Sequence, residues 1–379
     1  MLEEIHSEFP NTLDFRVAES PIFVDKELKI KILSACNSII DEIKKDSFIE
    51  RTQRAIPEQH YVPSENRRPD FLAIDFAVTK NSEGDFEPQL IELQGFPSLF
   101  AYQSYLSSKY KKHFNVQKGF SEFFNRLNTM SYMQEMQQFL LNGSHPKNTI
   151  LLEIFPEKQK TRLDFALTKK FWGIEPVCIT KLRKSGDDLY YESDGKKITV
   201  ERIYNRLIFD DLDRNFTDLK LEVDLKSTHS AHWISHPNWF YRVSKFSMPL
   251  FKSKYIPESN YLSEIKSTPE DLENYVLKPL FSFAGAGVKI DVKKEDIENI
   301  KDPENYLLQR KITYEPCIKD LNNDGIKCEI RMLYIWPENA SSPKLVTNLA
   351  RLSRGKMIGV DYNKNFDWVG GSSAFFETN

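Results

Sequence analysis

The chain has 379 residues, of which 40% are hydrophobic, 28% charged and 13% aromatic, and its formal net charge is −3 at neutral pH. This length exceeds one ordinary hydrophobic core, so we expect two or three domains or lobes of a globular protein. Acidic and basic residues are interspersed, which argues against nucleic acid or an anionic membrane as a partner. The sequence shows neither a signal peptide nor an apolar run of membrane-spanning length, so we expect a cytoplasmic protein.

The first predicted element is an amphipathic helix within residues 21–46. Asp25 is its candidate N-cap, and Leu28, Ile32 and Cys36 begin an apolar face at helical spacing. We interpret this helix as a packing element.

A β-hairpin is predicted next. Two apolar runs, residues 69–78 and 89–94, flank a polar turn centred near Glu83 and Gly84. Such a turn places Asp75 opposite Glu92 across the strand pair.

The acidic residues of this hairpin suggest a metal site. Gln94 shares the face of Glu92 because side chains alternate along a strand. Facing carboxylates repel each other unless a cation lies between them, and carboxylate and amide oxygens suit Mg²⁺. We therefore predict magnesium ligands at Asp75, Glu92 and Gln94. Asp70 is a rival ligand on the same strand, and an exposed hairpin with solvated acids is the alternative interpretation.

A small α/β unit is predicted in the middle of the chain. The pattern is a strand over residues 149–154, a helix over 158–171, a strand over 177–180 and then a hairpin. This alternation implies at least one parallel strand pair. A later strand ends at Asn205 and Arg206, and we interpret that polar end as lining a substrate cleft.

A helix over residues 238–251 is predicted to carry Lys245 at the edge of its apolar face. Residues 275–277 then form a short strand, Lys278 follows it, and residues 288–290 resume as a strand. The loop between them contains Ser282, Ala284, Gly285, Ala286 and Gly287. Small residues let backbone N–H groups approach a phosphate, so we interpret the hairpin as a flap over a triphosphate. The alternative is an ordinary hairpin with a glycine turn.

Three further strands are predicted, over residues 306–312, 327–336 and 345–354. Glu329 and Arg331 lie on one face of the second, and Arg351 lies on the third. Arginine needs a partner when it is desolvated, so several arginines directed at one cleft suit a polyanionic substrate.

Taken together, these residues resemble the ATP-grasp superfamily over about residues 68–373. The family's closing acidic hairpin lies here far upstream of the flap, which is similar to the circularly permuted, glutathionylspermidine-synthase-like members. The resemblance implies an α/β (α+β) fold, namely a circularly permuted ATP-grasp core with a small α/β substrate domain. It implies N-terminal helices and the metal hairpin in residues 1–145, the substrate domain in 146–235, and the ATP-binding lobes in 236–379.

The resemblance also implies a function, which is ATP- and Mg²⁺-dependent joining of a small-molecule or peptide carboxylate to an amine through an acyl phosphate. Arg331 and Arg351 would bind the transferring phosphoryl group or the acyl phosphate. One departure is Gln94, which stands where the family has Asn. The residues implied to bind ATP are Lys245, Lys278, Ser282, Ala284, Gly285, Ala286, Gly287, Gln309, Arg310, Lys311, Ile312 and Glu315.

Two other functions stay open at this point. One is a small-molecule kinase on the same scaffold, which would release a phosphorylated product. The other is a non-catalytic nucleotide-binding protein whose metal site has decayed, and Gln94 is the feature that favours it. Walker A and dinucleotide-binding glycine patterns are absent from the sequence, so P-loop and Rossmann interpretations rank lower.

Overall fold

The structure is a computed structural model of the chain and describes residues 1–216, 218–281, 287–355, 363 and 366–378. The described helices are α1 (Leu2–Glu8), α2 (Lys26–Ile43), α3 (Ser47–Arg51), α4 (Phe100–His113), α5 (Thr129–Leu141), α6 (Arg162–Trp172), α7 (Phe209–Asn215), α8 (Pro237–Arg242) and α9 (Lys294–Glu298). The described strands are β1 (Ile22–Val24), β2 (Phe71–Lys80), β3 (Phe86–Gln94), β4 (Phe120–Ser121), β5 (Thr149–Glu153), β6 (Glu175–Cys178), β7 (Arg183–Ser185), β8 (Asp188–Ser193), β9 (Lys196–Val200), β10 (Arg202–Asn205), β11 (His232–Ile234), β12 (Ser259–Tyr261), β13 (Tyr275–Pro279), β14 (Tyr306–Arg310), β15 (Ile318–Lys319), β16 (Gly325–Ile335), β17 (Lys344–Ser353), β18 (Gly370–Ser372) and β19 (Ala374–Glu377).

An antiparallel sheet of order β18-β17-β16-β2-β3, with β15 also pairing with β16, forms the centre of the molecule. Its two faces follow the alternation of side chains along β2. Ile74 and Phe76 pack into the core that contains α2, whereas Phe71 and Ala73 pack into the core that contains α4. Asp75 therefore lies on the α4 face of the sheet.

The expected hairpin of β2 and β3 is present, and Asp75 lies opposite Glu92 as predicted. The pairing near the turn differs by one residue from the expected register, because Phe76 lies opposite Leu90. A β-bulge at Ile91 takes up the difference and restores the Asp75 and Glu92 pair.

The middle of the chain forms a parallel sheet of order β11-β10-β5-β6, as its strand and helix pattern predicted. The helix α6 makes the crossover from β5 to β6. Beside this sheet, β7, β8 and β9 form an antiparallel meander. The structure is thus a mixed α/β (α+β) fold with several separate sheets.

A third, smaller sheet of order β12-β14-β13 contains β13, the strand that was predicted as the first arm of the flap. Beyond Gly287 the chain returns to β13 through one bridge, in which Leu277 and Lys289 exchange both backbone hydrogen bonds at 2.9 Å. The strand expected over residues 288–290 is therefore reduced to a single bridged residue.

The helix expected over residues 238–251 is wrong as one continuous element. The structure has α8 and then a separate 3₁₀ helix, Lys245–Leu250, with a break at Val243 and Ser244. The hydroxyl of Ser244 accepts a hydrogen bond from the N–H of Phe246 at 3.1 Å, which starts the new helix. None of the described helices combines the length and apolar character needed to cross a membrane.

The break after α8 lets the chain pack closely on the end of the hairpin. Gly95 donates its N–H to the carbonyl of Val243 at 3.0 Å. A Cβ atom at Gly95 would lie 2.5 Å from the carbonyl oxygen of Trp239 and 3.0 Å from the Cβ of Val243. Only glycine fits this contact without a shift of the backbone.

We expect Gly95→Ala to lower the free energy of unfolding by roughly 1–3 kcal/mol, because the methyl group overpacks a rigid backbone contact. Gly371→Ala is the matched control, since its Cβ would have no neighbour closer than 3.7 Å. Urea unfolding followed by tryptophan fluorescence compares the two. Equal stability of the two variants would contradict the packing argument.

Candidate functional site

The two middle strands of the central sheet share a buried ion pair. Arg331 of β16 lies opposite Asp75 of β2. Its Nε lies 2.5 Å from Oδ1 of Asp75, and its Nη2 lies 2.7 Å from Oδ2. Its Nη1 donates to the hydroxyl of Ser98 at 2.7 Å. A bidentate pair of this kind fixes the orientation of both side chains.

A second arginine, Arg351 of β17, joins two carboxylates. Its Nη2 lies 2.6 Å from Oδ2 of Asp75 and 2.8 Å from Oε2 of Glu329. Oε1 of Glu329 accepts a hydrogen bond from the hydroxyl of Tyr314. The Nε atom of Arg351 is buried and has no hydrogen-bond partner in the described part of the chain. Arg351 therefore keeps one donor for a further acceptor.

Burial and charge act in opposite directions on the two acids. Burial raises the pKa of Asp75, but the positive charges of Arg331 and Arg351 outweigh it, and the net pKa lies below its ordinary value. For Glu329 burial prevails over Arg351, and the pKa is raised. Asp75 is thus the ionised centre of this group at neutral pH, and Glu329 takes up a proton before it as the pH falls.

Two lysines approach the same place from other elements. Lys278 of β13 donates from Nζ to Oε1 of Gln309 at 2.6 Å and to the carbonyl of the bulge residue Ile91 at 3.4 Å. Burial lowers the pKa of Lys278 to about 8, which Glu92 opposes and Lys245 reinforces. Burial also lowers the pKa of Lys245, against the charge of Glu92. The two lysines and Glu92 are therefore close enough to influence one another.

These residues form one group, which we call the charged cluster. It lies where the small sheet meets the central sheet, and it brings together side chains from all three thirds of the sequence. Its members are Asp75, Glu92, Lys245, Lys278, Glu329, Arg331 and Arg351.

Other residues that the resemblance implied for ATP do not join the cluster through their side chains. Arg310 pairs with Asp271 at 2.5 Å, Lys311 lies 3.2 Å from Asp291, and Glu315 lies 2.8 Å from Lys80. All three pairs lie at the protein surface. Ile312 lies just after β14, and its side chain is apolar, so only its backbone groups could form a hydrogen bond with a nucleotide.

The expected phosphate loop is described only at its end. Gly287 has a φ of +72°, and a Cβ atom there would lie 2.8 Å from Cγ of Pro279. A glycine is therefore required where the flap folds back on β13. Ser282, Ala284, Gly285 and Ala286 lie outside the described residues.

The magnesium prediction needs a different ligand set. In the described ranges no group of three or more His, Cys, Asp or Glu side chains is arranged to hold a metal ion. The expected role of Asp75 does not fit, because guanidinium nitrogens engage both of its oxygens. Glu92 and Gln94 lie at the same edge of β3, partly buried, and neither side chain has a hydrogen bond within the described ranges. Their oxygens suit Mg²⁺, which commonly takes one or two protein ligands besides phosphate.

Sequence reasoning missed Ser98 and Tyr314. Ser98 follows the hairpin directly and receives the third N–H of Arg331, and Tyr314 orients Glu329 from a loop. The signal for Ser98 was its place just beyond Gln94. Tyr314 carried no local signal, because its role depends on how the loop after β14 crosses the sheet.

A second set of polar side chains lies at the carboxyl ends of β5 and β10, which is the position of the ligand crevice in α/β sheets. These strands are neighbours, and β6 lies on the other side of β5, so the strand order reverses between β5 and β10. Ligands of α/β sheets bind at such switch points. Arg206 follows β10 and lies 3.5 Å from Asp164, and its Cζ lies 6.0 Å from the ring centre of Phe96. Phe96 connects this crevice to the end of the acidic hairpin.

Several buried polar groups in this crevice lack partners. Nε of Arg206 and Nδ2 of Asn205 are buried donors without a hydrogen-bond acceptor among the described residues. Glu153 lies at the end of β5, where burial raises its pKa to about 8 against the charge of Arg206. Unsatisfied buried donors are uncommon in folded proteins, so they point to a missing acceptor.

Neither a protein-family model nor a curated protein matches the sequence. Among solved structures, the chain resembles a glutathione synthetase-like effector, GSS30, from Globodera pallida, in its apo form. The chain shares the fold of GSS30. The TM-score is 0.62 at 11% sequence identity, over 95% of this chain and 90% of the other. At this identity the similarity establishes the fold and leaves the chemistry to the residues of the site.

We expect Asp75→Asn to lower the free energy of unfolding at pH 7 by roughly 3–5 kcal/mol, because it leaves two guanidinium groups without their shared anion. Asp85→Asn, at the exposed hairpin turn, is the matched control and should change it by less than about 0.5 kcal/mol. Urea unfolding measures both variants.

The same pair predicts a pH dependence. The pKa of Asp75 is depressed in the folded chain, so its ion pairs stabilise the fold above the ordinary carboxyl pKa of about 3.9. This contribution disappears as the pH falls through the depressed value. The stability difference between wild type and Asp75→Asn should therefore narrow below about pH 4. A difference that is constant with pH would contradict the assignment.

Proposed function

We propose that the chain is an ATP- and Mg²⁺-dependent carboxylate–amine ligase on a circularly permuted ATP-grasp scaffold. The charged cluster is the observation that carries this proposal. In it, Lys278 from the small sheet reaches the backbone of the acidic hairpin, and two arginines lie on the same face of the central sheet. The fold shared with a glutathione synthetase-like protein supports a ligase of this class.

The permuted arrangement is supported by strand order. The acidic hairpin of β2 and β3 comes early in the sequence, yet β2 pairs with β16, which follows the flap by many residues. In the resemblance the acidic hairpin belongs at the end of the ATP-binding unit. A hairpin that is early in sequence but paired with a late strand has the order expected of a permuted member.

Under this proposal Lys245 and Lys278 neutralise the α- and β-phosphates of the nucleotide. Both side chains are buried with lowered pKa values, so a nearby polyanion would favour their charged forms. Backbone N–H groups of the loop from Ser282 to Gly287 would cover the β- and γ-phosphates. The backbone after Gln309 would contact the adenine edge, because the side chains of Arg310 and Lys311 point to surface partners.

Glu92 and Gln94 would hold Mg²⁺, and Asp75 would serve as the anion that positions the arginines. When bound, Mg²⁺ would neutralise charge on the phosphates. Arg331 is fully engaged by Asp75 and Ser98, so its role would be to position Asp75 and the end of the hairpin. Arg351, which keeps a buried Nε donor, is the arginine that would bind the transferring phosphoryl group.

The carboxylate substrate would bind in the crevice after β5 and β10. Arg206 and Asn205 provide buried donors there, and Phe96 leads from this crevice to the acidic hairpin. In the proposed reaction, a carboxylate oxygen attacks the terminal phosphorus and ADP leaves. The amine then attacks the acyl carbon, and phosphate leaves. Positioning and charge neutralisation are the main contributions that the protein makes to such a reaction.

A non-catalytic nucleotide-binding protein is the second candidate. Asp75 is neutralised by two arginines, and Gln94 stands where the resemblance expects Asn. Both features favour a weakened metal site. The two candidates differ in turnover, since both would bind ATP.

The decisive experiment incubates the full chain with ATP, Mg²⁺ and pairs of carboxylates and amines, and measures ADP release. A ligase releases ADP only when both substrates are present and yields one amide per ADP. Stoichiometric phosphorylated product without an amine requirement would identify a kinase instead. ATP binding without turnover for any pair would favour the non-catalytic candidate.

We expect Lys278→Ala to reduce ATP turnover by on the order of 10²–10³-fold, because it removes a charge that stabilises the phosphates. Lys289→Ala on the other arm of the flap is the matched control, because Lys289 is exposed and pairs with Asp296. Its turnover should stay near that of wild type. Undiminished turnover in Lys278→Ala, with an unchanged melting temperature, would refute the flap assignment.

We expect Glu92→Gln to abolish the Mg²⁺ dependence of ATP binding, since the amide removes the one carboxylate of the proposed ligand pair. Thermal unfolding with ATP, in Mg²⁺ or in EDTA, measures this dependence. Glu87→Gln, on the same strand, should keep the difference between the two conditions. If Glu92→Gln keeps it too, the metal ligands lie elsewhere.

A further inference from the structure

A second cavity, separate from the charged cluster, lies beside β11. Its volume is about 210 Å³, and none of its lining residues belongs to the charged cluster or to the crevice at Arg206. β11 is an edge strand of the parallel sheet, so the cavity runs along the sheet's border. The lining residues are Val62, Pro63, Ser64, Asn66, Ser227, Thr228, His229, Ser230, Ala231, His232, Trp233 and His236.

One wall is held in place by the start of α8. The side-chain amide of Asn238 accepts from the N–H of Val62 at 3.0 Å and donates to its carbonyl at 2.9 Å. The ring Nε2 of His236 lies 3.1 Å from the carbonyl of Pro63. Because these hydrogen bonds fix the backbone of Val62 and of Pro63, this wall of the cavity is preformed.

The opposite wall is equally fixed. Lys184 donates from Nζ to the carbonyl of Thr228 at 2.7 Å. Ser230 is bound through its N–H to the carbonyl of Asp187 at 2.9 Å and through its hydroxyl to Asp188 at 2.8 Å. A cavity between two braced walls is available to a ligand without rearrangement of the chain.

Four aromatic side chains line the cavity, namely His229, His232, Trp233 and His236. The Trp233 ring packs against His229, with ring centres 5.3 Å apart, and against His236 at 6.3 Å. Both ring nitrogens of His236 are engaged, because Nδ1 also accepts from the N–H of Asn238 at 3.3 Å. Nδ1 of His229 is different: it is buried, and among the residues that the structure describes no group meets it in full hydrogen-bond geometry. The backbone of Ala231 lies close enough to raise the pKa of the His229 ring against the effect of burial, but it does not complete a hydrogen bond to Nδ1. A buried polar atom without a partner costs roughly 1–3 kcal/mol.

The imidazoles are uncharged at neutral pH. Burial lowers the pKa of His229, His232 and His236 below the ordinary value. A neutral imidazole Nδ1 either donates or accepts according to its tautomer. A ligand that carries both a donor and an acceptor therefore satisfies His229 in either form.

The charges around the cavity balance. Lys184 and Arg202 lie near the histidines and lower the pKa of His229 and of His232, respectively. Arg242 also lowers the pKa of His236, and it pairs with Glu65 at 2.6 Å. Glu338 and Glu65 act in the opposite direction on His232 and His236, and Asp188, which bonds to Ser230, is a third anion. With three cations and three anions around neutral rings, neither a cationic nor an anionic ligand gains a clear electrostatic advantage.

We propose that this cavity binds a small uncharged carboxamide, whose amide group hydrogen-bonds to Nδ1 of His229 and whose apolar part contacts Trp233. The remaining walls are rich in hydroxyl groups, from Ser64, Ser227, Thr228 and Ser230, which suit a second polar group on the ligand. A cavity of about 210 Å³ is larger than the roughly 150 Å³ that holds benzene, so it accommodates a benzene ring with one small substituent. The site is independent of the proposed ligase reaction.

The test uses the full chain and four probes of similar shape: benzamide, benzylamine, benzoate and toluene. NMR spectra of protein labelled at its seven histidines report binding near each ring. Benzamide should bind with a millimolar Kd and shift the resonances of His229. Benzylamine, benzoate and toluene should each bind at least about fivefold more weakly, because they add a charge or lack the amide.

Three variants separate a specific site from a general effect. His229→Phe should weaken benzamide binding by roughly tenfold, because it removes Nδ1 and keeps a ring. His229→Asn should keep most of the affinity, since its amide offers both a donor and an acceptor near the position of Nδ1. His6→Phe on the exposed α1 is the matched control and should leave binding unchanged.

Melting temperatures measured alongside these titrations identify variants that do not fold. Folded His229→Phe with unchanged benzamide affinity would overturn the proposal, as would a failure of His229→Asn to bind when it is folded. Tighter binding of benzoate or benzylamine than of benzamide would overturn the uncharged class of ligand. None of these outcomes depends on ATP, so they leave the proposed ligase function untouched.

Discussion

A single carboxylate, Asp75, holds β2 against β16 and β17, two neighbouring strands from a distant part of the sequence. It accepts hydrogen bonds from Arg331 on β16 and from Arg351 on β17 while lying on β2 itself. The buried charges of Asp75 and Arg331 are tolerated only because each satisfies the other, since removal of either would leave a desolvated charge. The pairing thereby fixes the register in which β2, β16 and β17 meet.

This constraint also determines what the neighbouring residues are able to do. With Asp75 committed to the arginines, Glu92 and Gln94 at the edge of β3 are the oxygen ligands that remain in the hairpin. The bulge at Ile91 gives this edge a second use, because its carbonyl receives the ammonium group of Lys278. The central and small sheets thus meet through the hydrogen bond between Lys278 and the carbonyl of Ile91. Beside it lie Asp75, whose pKa the arginines lower, and Glu329, whose pKa burial raises.

The sequence alone predicted elements whose signals are local. Alternation and a glycine turn located the hairpin and the Asp75 and Glu92 pair, although the expected register near the turn was off by one residue and only the bulge at Ile91 restored the pairing. The parallel strands of the middle region followed from their alternation with α6. The helix over 238–251 failed because apolar spacing gave no indication of the break at Val243 and Ser244, which is set by contact with Gly95.

The sequence indicated which residues belong to the site, but it did not indicate which of their side chains bind one another. Strand alternation placed Glu329 and Arg331 on one face of a strand. Arg331 binds both oxygens of Asp75 only because β2 pairs with β16, and no local sequence pattern reveals that pairing. Crevice residues such as Asn205 and Glu153, and the cavity at His229, depend likewise on loops that converge only in the folded chain. Asp75 was predicted as a metal ligand because the sequence shows the acids of the hairpin but not the arginines, Arg331 and Arg351, that lie beside Asp75 in the fold.

The sequence separation within the central sheet has a consequence for biosynthesis. Asp75 and Arg331 are 256 positions apart, and the first strand, β1, pairs with the last, β19. A nascent chain therefore leaves the ribosome with its acidic hairpin exposed long before the partner strands are made, and non-local pairings of this kind form slowly. The strands of the parallel sheet pair with one another within residues 149–234, so this sheet is able to form before β16 and β17 are made. The acidic hairpin has to wait for those strands, so chaperones have most reason to engage the amino-terminal third while translation continues.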